Sequence, residues 1–169
     1  MLAAAVGNGC TMKQVSRRSQ NLDIQVCNLA EAELIAAEFD AVISLVPSTE
    51  AALRSHTNRC CTLFDDVVFA DDRNAPTSSQ VHEILRFAST LKRSVLVHCL
   101  YGQSRSTAVA LSIMAARGVD PSEAYRHLEQ EHPPQRPFTP NVLVLSLFDH
   151  ALQLDGELVR AGTTWVERL

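Results

Sequence analysis

The chain lacks the long apolar run, the paired-cysteine framework and the excess of one charge that would each assign it to a special class. No apolar stretch approaches the roughly 20 residues of a membrane span, and the N-terminus MLAAAVGNGC has no basic region like that of a signal peptide. The sequence therefore reads as cytoplasmic, with no membrane partner. Its 15 Lys and Arg are interspersed with 19 Asp and Glu, for a formal charge of -4. That argues against a nucleic-acid footprint, so any positive field must be local. Five cysteines, an odd number without a C-x-x-C pair, imply reduced thiols with at least one free. Cys60 and Cys61 are adjacent and would face opposite sides of a strand, a poor start for a shared metal. His127 and His132 are five apart, off the spacing that stacks two ligands on one helix face, and read as solvated helix histidines. There is no Walker-type lysine motif, no G-x-S-x-G elbow and no internal repeat. Nothing calls for a metal or a cofactor, and nothing specifies an oligomeric state.

What is present is a chain of 169 residues, 46% hydrophobic and 20% charged, enough for one domain with a proper core. Residues 1–20 show no hydrophobic period and read as a flexible arm, residues 21–155 as the domain, and residues 156–169 as a C-terminal helix or tail. LDIQVCNL alternates like a strand, AEAELIAAEF has helical composition, and AVISLV is a second strand closed by Pro47. STEAALRSH reads as a short helix capped by Ser48, and CCTLFDDVVFA as a strand running into acidic residues. Val81, Ile84, Leu85, Ala88 and Leu91 lie at helical spacing after a Pro76-Thr77-Ser78 start, and that helix feeds the strand SVLVH. Further helices follow: one from Ser104 to a stop at Gly118, one capped at Asp120-Pro121, one starting at Thr139-Pro140 and stopping near Gly156, and the tail. Strands alternating with helices, then a run of helices, predict an α/β fold of three layers, α/β/α, around a mostly parallel sheet of four to five strands. Ligands in such sheets bind at the carboxyl ends of strands, where Cys99 is expected.

SVLVHCLYGQSRSTAVAL, Ser94 to Leu111, joins an apolar strand, a cysteine, a short polar loop and a helix start. If the loop from Cys99 to Arg105 wraps the helix N-terminus, its amides converge on one point, where an anion with several oxygens fits. Gly102 would permit the tight curl, and Arg105 would hold two phosphoryl oxygens with its planar fork. The same field favours the thiolate, which makes Cys99 a nucleophile. A surface arginine at a helix start would oppose the helix dipole unless an anion compensated it. Ser104 and Ser106 are equally readable as ordinary capping residues, and Tyr101 and Gln103 as loop-shape or rim residues.

The pattern His98-Cys99-(five residues)-Arg105-Ser106, with SVLVHC, G-x-S-R-S, VFADD…APTSSQVHEIL and RGVDPSEAYRHL, resembles the cysteine-dependent protein tyrosine phosphatases, in particular their compact dual-specificity-like branch. The resemblance covers roughly Phe64 to Asn141, and the first sixty residues share only the order strand, helix, strand. It implies a protein-tyrosine-phosphatase-like fold and hydrolysis of phosphotyrosine in phosphorylated proteins through a phosphocysteine, with phosphoserine and phosphothreonine left open as further substrates. It further implies Cys99 as nucleophile, Leu100, Tyr101, Gly102, Gln103, Ser104 and Arg105 as the phosphate cradle, Ser106 as helper in hydrolysis of the intermediate, and His98 as brace. The acid would be an aspartate upstream. Asp65, Asp66, Asp71 and Asp72 qualify, with Asp71 the best match, Asp72 next, and Asp66 in FDD matching another branch. The plainer reading of Asp65 and Asp66 is that they end a strand or hydrogen-bond to the loop. Two other functions stay open: a phosphatase for a non-protein phosphate (nucleotide, RNA 5′-phosphate or inositol phosphate), and a non-catalytic phosphate-binding module. The uncharged LYGQS lacks the lysines with which phosphoinositide-selective relatives meet extra phosphates.

Overall fold

The computed structural model describes residues 22–48, 53 and 55–164. The N-terminal arm, most of the helix read in STEAALRSH and the end of the tail lie outside them. The elements run β1 (Asp23–Asn28), α1 (Leu29–Ile35) with a 3-10 turn (Ala36–Glu38), β2 (Ala41–Val46), β3 (Arg59–Leu63), α2 (Ser78–Thr90), β4 (Ser94–Cys99), α3 (Arg105–Ala116), α4 (Pro121–Glu131), α5 (Val142–Leu152) and α6 (Glu157–Gly162). The four strands form one parallel sheet in the order β1-β4-β2-β3. This is the three-layer α/β/α arrangement that the alternation of strands and helices predicts.

Period-two alternation sorts the strand residues between the layers. Ile43 and Leu45 of β2 and Val95, Val97 and Cys99 of β4 share a core with Val81, Ile84 and Ala88 of α2 and with most of α3. Val42 and Leu96 turn the other way, with Cys27, against Ala32 and Ala36. Both faces are covered, so β2 is buried along its whole length and β4 along all but its first residue. The last strand in sequence thus fills the centre of the sheet, and the strand order reverses around it. In open α/β sheets a ligand crevice opens at such a point, beyond the carboxyl ends of the strands.

Local signals set the helix boundaries. Thr77 and Gln80 form a capping box at the start of α2, a device that contributes about 1 kcal/mol. Asp120 accepts from the amides of Ser122 and Glu123 with Pro121 in the first turn of α4. The helix expected from Thr139-Pro140 begins slightly later, because Asn141 is its cap and accepts from the Val144 amide at 3.0 Å. Leu158 of α6 is buried in the main core, and Ala161 is buried as well. One expectation is reversed. His132 is not solvated: it follows the last turn of α4, where its ring is buried edge-on against Phe138. His127 is exposed and pairs with Glu131 one turn on, at 3.7 Å.

Candidate active site

β4 ends at Cys99 and α3 begins at Arg105, so the intervening loop must turn the chain at the mouth of the sheet. Its carbonyls face outward into the scaffold. The Leu100 carbonyl accepts from the Leu29 amide at 3.3 Å, that of Gln103 from the Thr139 amide at 3.1 Å, and that of Ser104 from the Asn141 amide at 3.1 Å. The Thr107 hydroxyl reinforces the last two, at 2.7 and 2.8 Å. With these acceptors held from behind, the amides are left to the concave side, the arrangement of an anion-binding nest. Gly102 makes the curl possible. Its φ is +69°, and a Cβ built there would lie 2.6 to 2.8 Å from backbone atoms of Cys27 and Asn28, so a side chain meets both strain and a wall.

Cys99 lies at the base of this loop, only 1% exposed. Its Sγ is 3.2 Å from the Ser106 hydroxyl and accepts from the Gly102 amide at 3.2 Å. Burial works to raise the thiol pKa, but the Ser106 hydroxyl, the amides of Ser106 and Gly102 and the Arg105 guanidinium outweigh it, and the thiol is held below the ordinary cysteine value. Cys27, on the neighbouring strand, is the contrast. Burial, with the charge of Glu31 adding to it, pushes that thiol up to about 12, and burial raises Cys60 as well. Among these buried cysteines, Cys99 is the one whose surroundings favour the thiolate over the thiol.

Arg105 is 2% exposed. One terminal nitrogen donates to the Phe64 carbonyl at 2.7 Å, while its Nε is buried without a hydrogen-bond partner among the described residues, 3.9 Å from the Asp66 carboxylate. A buried unpaired guanidinium donor at a nest of amides fits a phosphoryl oxygen. His98 points to the opposite layer, where its Nε2 shares a hydrogen bond of 2.7 Å with the Ser44 hydroxyl. Burial holds this imidazole down to about 4, against the pull of a backbone hydrogen bond at Cys99, which favours the neutral ring. Ser104 occupies the cap position of α3, yet its side chain caps nothing. Its hydroxyl donates to Asp66 at 2.7 Å instead.

The acidic segment after β3 thus meets the loop at one aspartate. The Asp66 Oδ1 that accepts from Ser104 also accepts from the Asn141 amide group at 2.8 Å, and Asn141 further donates to the Val67 carbonyl at 3.0 Å. Asp65 instead pairs with Asn74, while Asp71 and Asp72 lie exposed on the turn beyond. The sequence pointed to Asp71 first, and the structure brings Asp66 to Arg105. Asn141, Ser44 and Asn74 are not among the residues to which the sequence points. Asn141 carried the one available signal, a cap residue directly after Pro140. Among the described residues, no group of three or more His, Cys, Asp or Glu is placed to hold a metal, and no helix is long and apolar enough to cross a membrane.

Solved structures with this fold include Tk-PTP in its active form (22% identity, TM-score 0.54, covering 79% of this chain and 94% of that one), human DUSP28 (17%, 0.57, 79% and 93%) and DUSP15 (17%, 0.54, 88% and 94%). No curated protein sequence gives a match. The model of the dual specificity phosphatase catalytic domain matches residues 14–148, taking in β1 to β4, the cysteine loop and the acidic segment. The chain belongs to the dual-specificity phosphatase catalytic-domain family of cysteine-based phosphatases.

Proposed function

We propose that this phosphatase hydrolyses phosphotyrosine, and with it phosphoserine and phosphothreonine, in phosphorylated proteins by way of a phosphocysteine at Cys99. The observation that carries the reading is a thiol held low in spite of burial, at the base of a loop that also presents the unpaired Nε of Arg105. In the first step the Cys99 thiolate attacks phosphorus, the P–O ester bond breaks, and an acid hands its proton to the departing oxygen. Arg105 and the amides of Leu100 to Arg105 hold the equatorial oxygens, where charge is spread in the transition state. In the second step water attacks phosphorus, the same carboxylate takes its proton, and the P–S bond breaks. The Ser106 hydroxyl, already 3.2 Å from the sulfur, stabilises the returning thiolate.

We assign the acid to Asp66 rather than Asp71. Asp66 shares its carboxylate with Ser104 and Asn141 and lies 3.9 Å from Arg105, whereas Asp71 sits in the exposed turn. A protein substrate is supported by the surroundings of the loop. Leu100 to Ser104 carry no charge, the segment 65–73 carries four aspartates against Arg73, and Phe69 and Tyr101 are 66% and 69% exposed. An aromatic ester suits this setting better than a polyanionic lipid or nucleotide. The free thiols of Cys27, Cys60 and Cys99 support a reducing compartment such as the cytoplasm.

The test has two arms. In kcat/KM measurements, phosphotyrosine peptides are expected to lead phosphoserine and phosphothreonine peptides, with inositol phosphates and nucleotides last; a preference for either of the last two contradicts the substrate. Asp66→Asn is expected to lower kcat for phenyl phosphate by about 10²- to 10⁴-fold, the usual contribution of a general acid. A loss of that size in Asp71→Asn and not in Asp66→Asn contradicts the acid.

A further inference from the structure

The loop that carries Asp66 leaves β3 and returns to α2, and it is tied across its base. The Asp65 amide donates to the Asn74 carbonyl at 2.9 Å, and the Asn74 side-chain amide donates back to the Asp65 carboxylate at 3.1 Å. Asn74 adopts φ +58°, a left-handed conformation that asparagine tolerates better than most residues. Within the ring the Asp72 amide donates to the Phe69 carbonyl at 3.3 Å, and just past it the Ala75 amide donates to the Asp72 carbonyl at 3.2 Å. The segment between carries exposed side chains, among them Val68 and Phe69, so packing does little to hold it.

We infer that Asp65 and Asn74 are positioning residues, a clasp that holds the acid loop in its working place before substrate arrives. The inference rests on Asp66 as the acid. The reaction itself loosens the other anchors. The hydroxyl of Ser104 and the amide of Asn141 hold Asp66 by its carboxylate, the group that must turn to the leaving oxygen and exchange a proton with it. As that carboxylate turns, those bonds weaken at the moment when position matters most. The clasp involves neither the reacting carboxylate nor the cysteine loop. It is next to Asp66 in sequence, and it persists through both steps, limiting how far Asp66 strays from the mouth.

A leaving-group series separates this role from a merely structural one. Protonation matters for a poor leaving group such as an alkoxide and little for a good one such as a dinitrophenolate. Asn74→Gly keeps the left-handed backbone and removes the side-chain bond. It is expected to lower kcat/KM about 3- to 10-fold for the poor leaving groups, the size of one hydrogen bond, with little change for the good ones. Asp65→Ala removes the acceptor and is expected to show the same selectivity, while Asp65→Asn keeps a carbonyl acceptor and is expected to recover most of the loss. In the Asp66→Asn background, Asn74→Gly should cost nothing further. A loss equal across all leaving groups, or no loss in either clasp variant beside a selective loss in Asp66→Asn, overturns the clasp and leaves the acid standing. If Asp66→Asn shows no selective loss, the acid assignment falls and the clasp with it.

Discussion

Replacing Gly102 with alanine tests the most crowded contact in the site. The new Cβ would stand 2.6 Å from the Cys27 carbonyl carbon, 2.7 Å from the Asn28 nitrogen and 2.8 Å from the Cys27 oxygen, all backbone atoms of a strand that cannot rotate away. A left-handed alanine costs roughly 1–2 kcal/mol, and forcing atoms into a packed site typically costs about 1–3 kcal/mol. The variant should therefore lose about 2–5 kcal/mol in urea denaturation, a large part of a typical domain's stability. Gly118→Ala is the control. Its φ is +86°, but nothing lies within 4 Å of its added Cβ, so only the backbone part of the cost should appear. The chemistry should respond too. Any shift of the loop that relieves the clash draws the Gly102 amide from Cys99, and losing a hydrogen bond to a charged group raises the thiol pKa by about one unit or more. The pH dependence of iodoacetamide alkylation at Cys99 reads that shift. Wild-type stability with an unchanged alkylation profile would refute the argument that the close approach to β1 shapes the site.

Two further predictions concern charge. Ser106→Ala removes the hydroxyl that does most to counter burial at Cys99, so the thiol pKa should rise and the acid limb of kcat/KM move to higher pH, which a pH-rate profile checks. Arg136 holds the Glu31 carboxyl below its ordinary value, chiefly through the bidentate hydrogen bonds of 2.5 and 3.0 Å. A depressed carboxyl stabilises the fold above its unfolded pKa and loses that contribution as pH falls through the folded one. Glu31 is partly exposed, and screening limits the effect to about 1 kcal/mol, so Glu31→Gln should be less stable than wild type by that amount at pH 7. The gap should close below about pH 4.

The cysteine loop was legible because its parts are contiguous: strand, nucleophile, glycine and arginine share one stretch, and their order alone implies an anion at the helix start. The parallel sheet was legible because periodicity and turn residues are local signals. The proposed acid was harder to read. Asp66 finds Ser104 38 residues on and Asn141 75 residues on, and four aspartates in one segment look alike until those partners are in place. His132 misled for a related reason. A histidine at a helix end is usually solvated, but here the chain from Pro133 returns Phe138 over its ring. Local sequence identifies the chemistry that a residue type can perform, and contacts far along the chain decide which copy lies beside the site.

The central claim is that Cys99 takes the phosphoryl group. Rapid acid quench during turnover of an aryl phosphate, followed by mass spectrometry of the digested protein, addresses it directly. One phosphoryl group is expected on the peptide containing Cys99, absent from Cys99→Ser, which should also be inactive. A phosphoryl group on another residue, or turnover by Cys99→Ser at the wild-type rate, would contradict it.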